Sequence, residues 1–193
     1  MNHKSDALIA QTAAECAAAL AQLGLPECAA ARRIIYLCIG TDRATGDCFG
    51  PLAGSALIKA SPIAGSDLAS VYGTLDNPVH AKNIADVLAQ IKREHTNPFI
   101  VAIDACLGKA DKVGKMIIKR GPIAPGLARG AGIPPVGDIS VTGVVNVLGK
   151  HKNTDMWGVL ASTRLSLVMR MADMAAKGML TNYELGMRNE ELM

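Results

Sequence analysis

Apolar and polar positions alternate along this chain with two periods, one helical and one strand-like. Between Ser5 and Leu23 apolar residues recur with helical spacing (Leu8, Ala13, Cys16, Leu20), which predicts a helix capped at Ser5 and ended by Gly24. Ile34 to Ile39 is a continuous apolar, β-branched run that predicts a buried strand over 33–39. A polar loop, GTDRATGDCFG, follows, and Pro51 opens a helix over 51–60 that is closed at Ser61-Pro62. A second strand is expected over 68–74, then the loop LDNPVH and a helix over 79–95 with the stripe Val79, Ile84, Val87, Leu88, Ile91. A third strand, FIVAID, begins after Pro98 and ends at Asp104.

The connection from Asp104 to Lys115 carries a topological message. A parallel crossover needs a dozen or more residues and usually a helix. The strand KMIIKRG over 115–120 should therefore run antiparallel to the third. Glycines and prolines then fill 122–135, a surface loop long enough to suggest function or mobility. The pattern next predicts a short helix over 140–149, a last strand over 156–162, and a final helix capped by Thr163 and reaching Lys177. A polar tail begins at Asn182. The count is five strands, four in βα units and one antiparallel, with helices on both faces of one α/β domain spanning 1–193.

A strand, a Gly-rich polar loop and a helix N-terminus in that order form the front of a βαβ unit. Open α/β sheets place their sites at such loops. The loop matches neither GxGxxG nor GxxxxGK[ST], so a phosphate cradle is weakly supported. If the first and third strands are neighbours, Asp47 and Asp104 come together at their carboxyl ends, close enough to share a proton as a water-activating pair requires. Each aspartate also has a structural reading: Asp104 can cap the following turn, and Asp47 the following helix. Asp42 and Arg43 can pair with each other or bind a ligand. His80, after the second strand, can approach the same sheet edge or serve as a helix-start group. Asp138 is the acidic residue nearest the end of the long loop. Cys48 and Cys106 flank the aspartates, but no His base accompanies either, so a cysteine nucleophile is the lesser option.

Composition narrows the field. Half the residues are apolar with only 3% aromatic, so the core is built from Ala, Val, Ile, Leu and Met. A net charge of +3 without a Lys/Arg block, and with few rings to stack bases, gives no reason to expect nucleic acid. The amino terminus lacks a signal core and no long uncharged run appears, so no membrane is expected. Five cysteines without a CxxC read as free thiols in a cytoplasmic setting.

IGTDRATGDCFGPLAG, VYGTLDNPVHAKN, VAIDACLG and VGDISVTGVVN resemble the spore protease YyaC family of sporulation proteins over about 34–170. That family is similar, more distantly, to the germination proteases and the hydrogenase maturation proteases. The resemblance implies a three-layer α/β/α, phosphorylase/hydrolase-like fold. Its five-stranded mixed sheet would have the order 2-1-3-5-4 with strand four antiparallel. It also implies acidic site residues at Asp47, in GDCFGP, and Asp104, in VAIDACLG. The third ligand of the maturation proteases, a histidine some thirty residues later, has no counterpart in 125–150, so neither metal nor cofactor is expected.

The leading expectation is a peptidase-like hydrolase in which Asp47 and Asp104 activate water against a peptide bond of a protein or peptide substrate. The alternatives are a non-catalytic protein-binding module on the same fold and a metal-binding maturation-type factor.

Overall fold

The computed structural model describes residues 8–25, 27–28, 32–60, 69–125, 133–149 and 155–190, with side chains up to residue 185. The six strands are β1 (Leu8–Ala10), β2 (Ile34–Cys38), β3 (Ala69–Tyr72), β4 (Phe99–Gly108), β5 (Met116–Arg120) and β6 (Ile139–Val147). The five helices are α1 (Ala13–Gln22), α2 (Phe49–Lys59), α3 (Ile84–Glu94), α4 (Met156–Ala161) and α5 (Leu165–Glu190). The strands form one sheet of order β1-β5-β6-β4-β2-β3. β2, β3, β4 and β6 are mutually parallel, and β5 is antiparallel to β6. No described helix is long and apolar enough to cross a membrane.

The antiparallel strand required by the short connection is present. β5 runs opposite to β4, with a short 3-10 turn at Ala110–Lys112 between them. β6 lies between the two, so they are not hydrogen-bonded neighbours. The β3-β2-β4 half of the expected order also stands, as does the place of the antiparallel strand beyond the next one.

Six expectations are corrected. The sheet has six strands, not five, because Leu8–Ala10 pairs with Ile118–Met116 as an extra edge strand. The first helix therefore starts later, at Thr12, whose hydroxyl accepts from Glu15 N–H while the Glu15 carboxylate accepts from Thr12 N–H. The expected cap at Ser5 and the closure at Ser61-Pro62 lie outside the described residues. The segment read as a helix over 140–149 is strand β6, in keeping with its β-branched run ISVTGVV. The segment read as a last strand over 156–162 is helix α4, so β6 takes the fifth place in the sheet. The final helix does not stop at Lys177 but continues to Glu190, absorbing the polar tail. The third strand likewise passes Asp104 and ends at Gly108, paired with β6 across a register shift at Cys106/Leu107.

The two faces are covered unequally. On one face Tyr36, Val101, Ile103, Val141 and Val145 form a single core with residues of α1, α2 and α5. On the other, Ile35, Leu37 and Ala102 pack beneath Ile84 and Ile91 of α3. Beyond α3, over β4, β6 and β5, the described residues leave that second face partly open.

Candidate functional site

The site begins with how tightly α2 is drawn onto the end of β2. A Cβ on Gly50 would lie 2.2 Å from the Ile39 carbonyl oxygen, so only glycine lets the helix start that close. Gly40 has φ +142°, and a Cβ there would lie 2.0 Å from the Asp47 carbonyl oxygen. That carbonyl accepts the Thr41 N–H at 3.2 Å, and the Asp47 N–H donates to Ala44 O at 2.9 Å. The loop is thereby wound into a 3-10 turn, Thr45–Cys48, that brings Asp47 back over the strand end.

β4 supplies the second carboxylate. Cys38 pairs with Ile103, so Asp104 stands one residue beyond the last β2–β4 pair. It is opposite Thr142 of β6. Its Oδ1 accepts the Ala105 N–H at 2.8 Å, which fixes the carboxylate against its own backbone. Asp47, Asp104 and His80 all line one cavity of about 610 Å³ at the carboxyl end of the parallel strands. Ile39, Leu107, Ile123, Met156 and Leu160 give it largely apolar walls. His80 starts the turn before α3: its N–H donates to Asn83 Oδ1 at 2.8 Å and its Nδ1 accepts from Lys82 N–H at 3.3 Å. It is both a helix-start group and a cavity residue.

Three candidates lie elsewhere. Asp42 and Arg43 are exposed on the loop, where Thr41 Oγ1 donates to Asp42 at 3.4 Å and accepts from Arg43 N–H at 3.4 Å. Neither lines the cavity. Asp138 sits at the opposite end of the sheet, at the start of β6, where its Oδ2 accepts the Ile100 N–H at 2.8 Å. Its role there is to tie β6 to β4, because a carboxylate is a strong acceptor for a strand-start N–H.

The two flanking thiols are not activated. Cys48 Sγ donates to the carbonyls of Thr41 and Ala44, each at 3.5 Å. Burial pushes its pKa up, and the carboxylates of Asp42 and Asp47 add to the effect. Cys106 is pushed up to about 11 by burial and by the Asp104 charge. Lys119 and Thr142 also line the cavity and were missed by the sequence reading. The available signal was the alternation in MIIKR: Met116 and Ile118 are buried on one face, which turns Ile117 and Lys119 to the other.

The family model described as "Protein of unknown function (DUF1256)" matches residues 9–178. The chain belongs to the DUF1256 family. It is 43% identical over 164 residues to "Uncharacterized protein YyaC" of Bacillus subtilis (strain 168), covering 85% of this chain and 76% of that one. The fold is also similar to that of a [NiFe] hydrogenase maturation protease, HycI, from Thermococcus kodakarensis KOD1. That structure aligns with a TM-score of 0.53 at 16% identity, over 83% of this chain and 98% of the other. For this DUF1256 chain the structural likeness establishes a protease-like α/β fold. Among the described residues no group of three or more His, Cys, Asp or Glu side chains is placed to hold a metal ion.

Proposed function

We propose that this protein is a peptidase-like hydrolase whose aspartate pair, Asp47 and Asp104, activates water against a peptide carbonyl. The observation that carries the reading is the convergence of both carboxylates on one large cavity at the carboxyl ends of β2 and β4. Such a cavity, apolar with a few polar groups, is the usual shape of a small-ligand or peptide site. The protease-like fold shared with the maturation protease adds support.

In the proposed step one ionised aspartate takes a proton from water as its oxygen attacks the carbonyl carbon. The other, protonated, hydrogen-bonds the carbonyl oxygen. The tetrahedral intermediate collapses when the leaving nitrogen receives a proton, and the C–N bond breaks to give an acid and an amine. Each carboxylate needs a different protonation state, which two acids close enough to share one proton provide. The substrate is a protein or peptide, and the setting is cytoplasmic.

The test is a digest of a synthetic decapeptide library by wild-type protein, read by mass spectrometry. Cleavage lost in both Asp47→Asn and Asp104→Asn, with unfolding midpoints kept, supports the pair. Undiminished cleavage in either variant, or none by the wild type, overturns it.

A further inference from the structure

Among the described residues, the cavity lining includes one cation that the proposed hydrolytic chemistry does not use. Lys119, half-buried on β5, lines it beside Pro122, Ile123 and Pro135. Among the described residues no carboxylate pairs with its ammonium. An anion that enters a cavity with apolar walls gains more from a lysine ammonium there than at an open surface.

The strand register sets its distance from the aspartates. Lys119 pairs with Ser140, whereas Asp104 pairs with Thr142 on the same strand, β6. Lys119 therefore stands two strand spacings, about 10 Å, across the sheet and two residues, about 7 Å, along it from Asp104. The diagonal separation is about 12 Å, and side chains stand roughly perpendicular to the sheet, so about three to four residues of extended peptide span the distance from ammonium to aspartate.

We infer that Lys119 is a specificity residue that binds a carboxylate of the substrate, about three to four residues from the bond held at Asp104. The inference rests on the peptide reading of the cavity. The carboxylate can belong to an Asp or Glu side chain or to the peptide's own C-terminus, and the same lysine serves either.

A randomised synthetic decapeptide library, prepared as free acids and as C-terminal amides, distinguishes the two. Peptides retained by immobilised Asp104→Asn protein are sequenced by mass spectrometry and compared with those retained by Asp104→Asn/Lys119→Met. Enrichment of Asp or Glu at a fixed register, lost with Lys119, assigns the side-chain source. Retention of free acids over amides, lost likewise, assigns the terminal source. The expected loss is about tenfold for the selected peptides, as for one charge-assisted pair. A Lys119→Glu variant should reverse the preference towards Lys and Arg. An absence of carboxylate preference, the same preference without Lys119, or no retention at all overturns the inference. Parallel cleavage by the wild type separates the two claims. Lys119-dependent retention without cleavage overturns hydrolysis alone, and cleavage indifferent to carboxylates overturns this inference alone.

Discussion

On one face of the sheet Val101, Ile103, Val141 and Val145 are sealed in a core with three helices. On the other, Asp104, Cys106, Thr142 and Lys119 border an open cavity. β4 and β6 supply residues to both sets, because side chains alternate across a strand. The sealed face has only the task of excluding water, and it uses aliphatic residues throughout. The other face is covered by α3 only over β2 and the start of β4. Where that cover stops, the inward residues change from Ala102 to Asp104 and Cys106. Unequal cover is thus what lets a carboxylate sit in the middle of a buried strand at tolerable cost.

The sharpest way to break this contrast is Asp104→Asn. It should remove cleavage by at least about a thousandfold, yet change stability by less than about 1 kcal/mol, since an amide oxygen can still accept the Ala105 N–H. A stability loss of several kcal/mol in urea unfolding would mean that the open face is core after all. Phe49→Ala probes the sealed face. The ring is fully buried and lies where a Cβ on Gly143 would come within 2.8 Å. Its loss should cost about 3–5 kcal/mol in the same assay. A cost below about 1 kcal/mol would show that this face is loosely filled.

Alkaline pH compares the faces more finely. Burial raises Cys16, on the sealed side, from 9.0 to about 12, and Cys106, in the cavity, to about 11. Above pH 9 the unfolded chain releases these protons while the folded chain keeps them. Stability is therefore fully present below pH 9 and falls as pH rises through 11 to 12, by on the order of 1 kcal/mol per pH unit for a well-buried thiol. Cys16→Ala should flatten the decline more than Cys106→Ala. The opposite ranking would contradict the assignment of faces. The smallest effect belongs to neither face: Lys177→Ala removes a 2.8 Å pair with Asp173 in which both side chains are more than half exposed. It should shift stability by under about 0.5 kcal/mol.

How much of this was legible in the sequence depends on the length of the signal. The run at 34–39, the stripe of α3 and the short link after Asp104 each constrain the chain over many residues, and they gave β2, α3 and the reversed β5. β1 was invisible because three residues carry no period. β6 was obscured by Gly143, which looks like a strand breaker until Phe49 is seen filling the space it leaves. MWGVLA has the composition of a strand, and its six residues are too few for a helical stripe to show. At the site, the aspartates stood out as charges ending or following apolar runs. Lys119 did not, since a lysine in an amphipathic strand normally marks solvent. Only the uncovered patch above β5 makes that position part of a cavity.

The edge strand β1 imposes an order on the life of the chain. Leu8 finds its partner in Ile118, and the sheet's central strand β6 comes later still. During synthesis β1 leaves the ribosome long before any strand exists for it to join. The rim of the sheet is then closed by a segment made long before its partner strand. Such a distant pairing is slow to form. Until it does, β5 presents a bare row of amides beside the growing cavity wall. A nascent chain stalled before β6 would be a template for another copy's strand rather than a finished sheet.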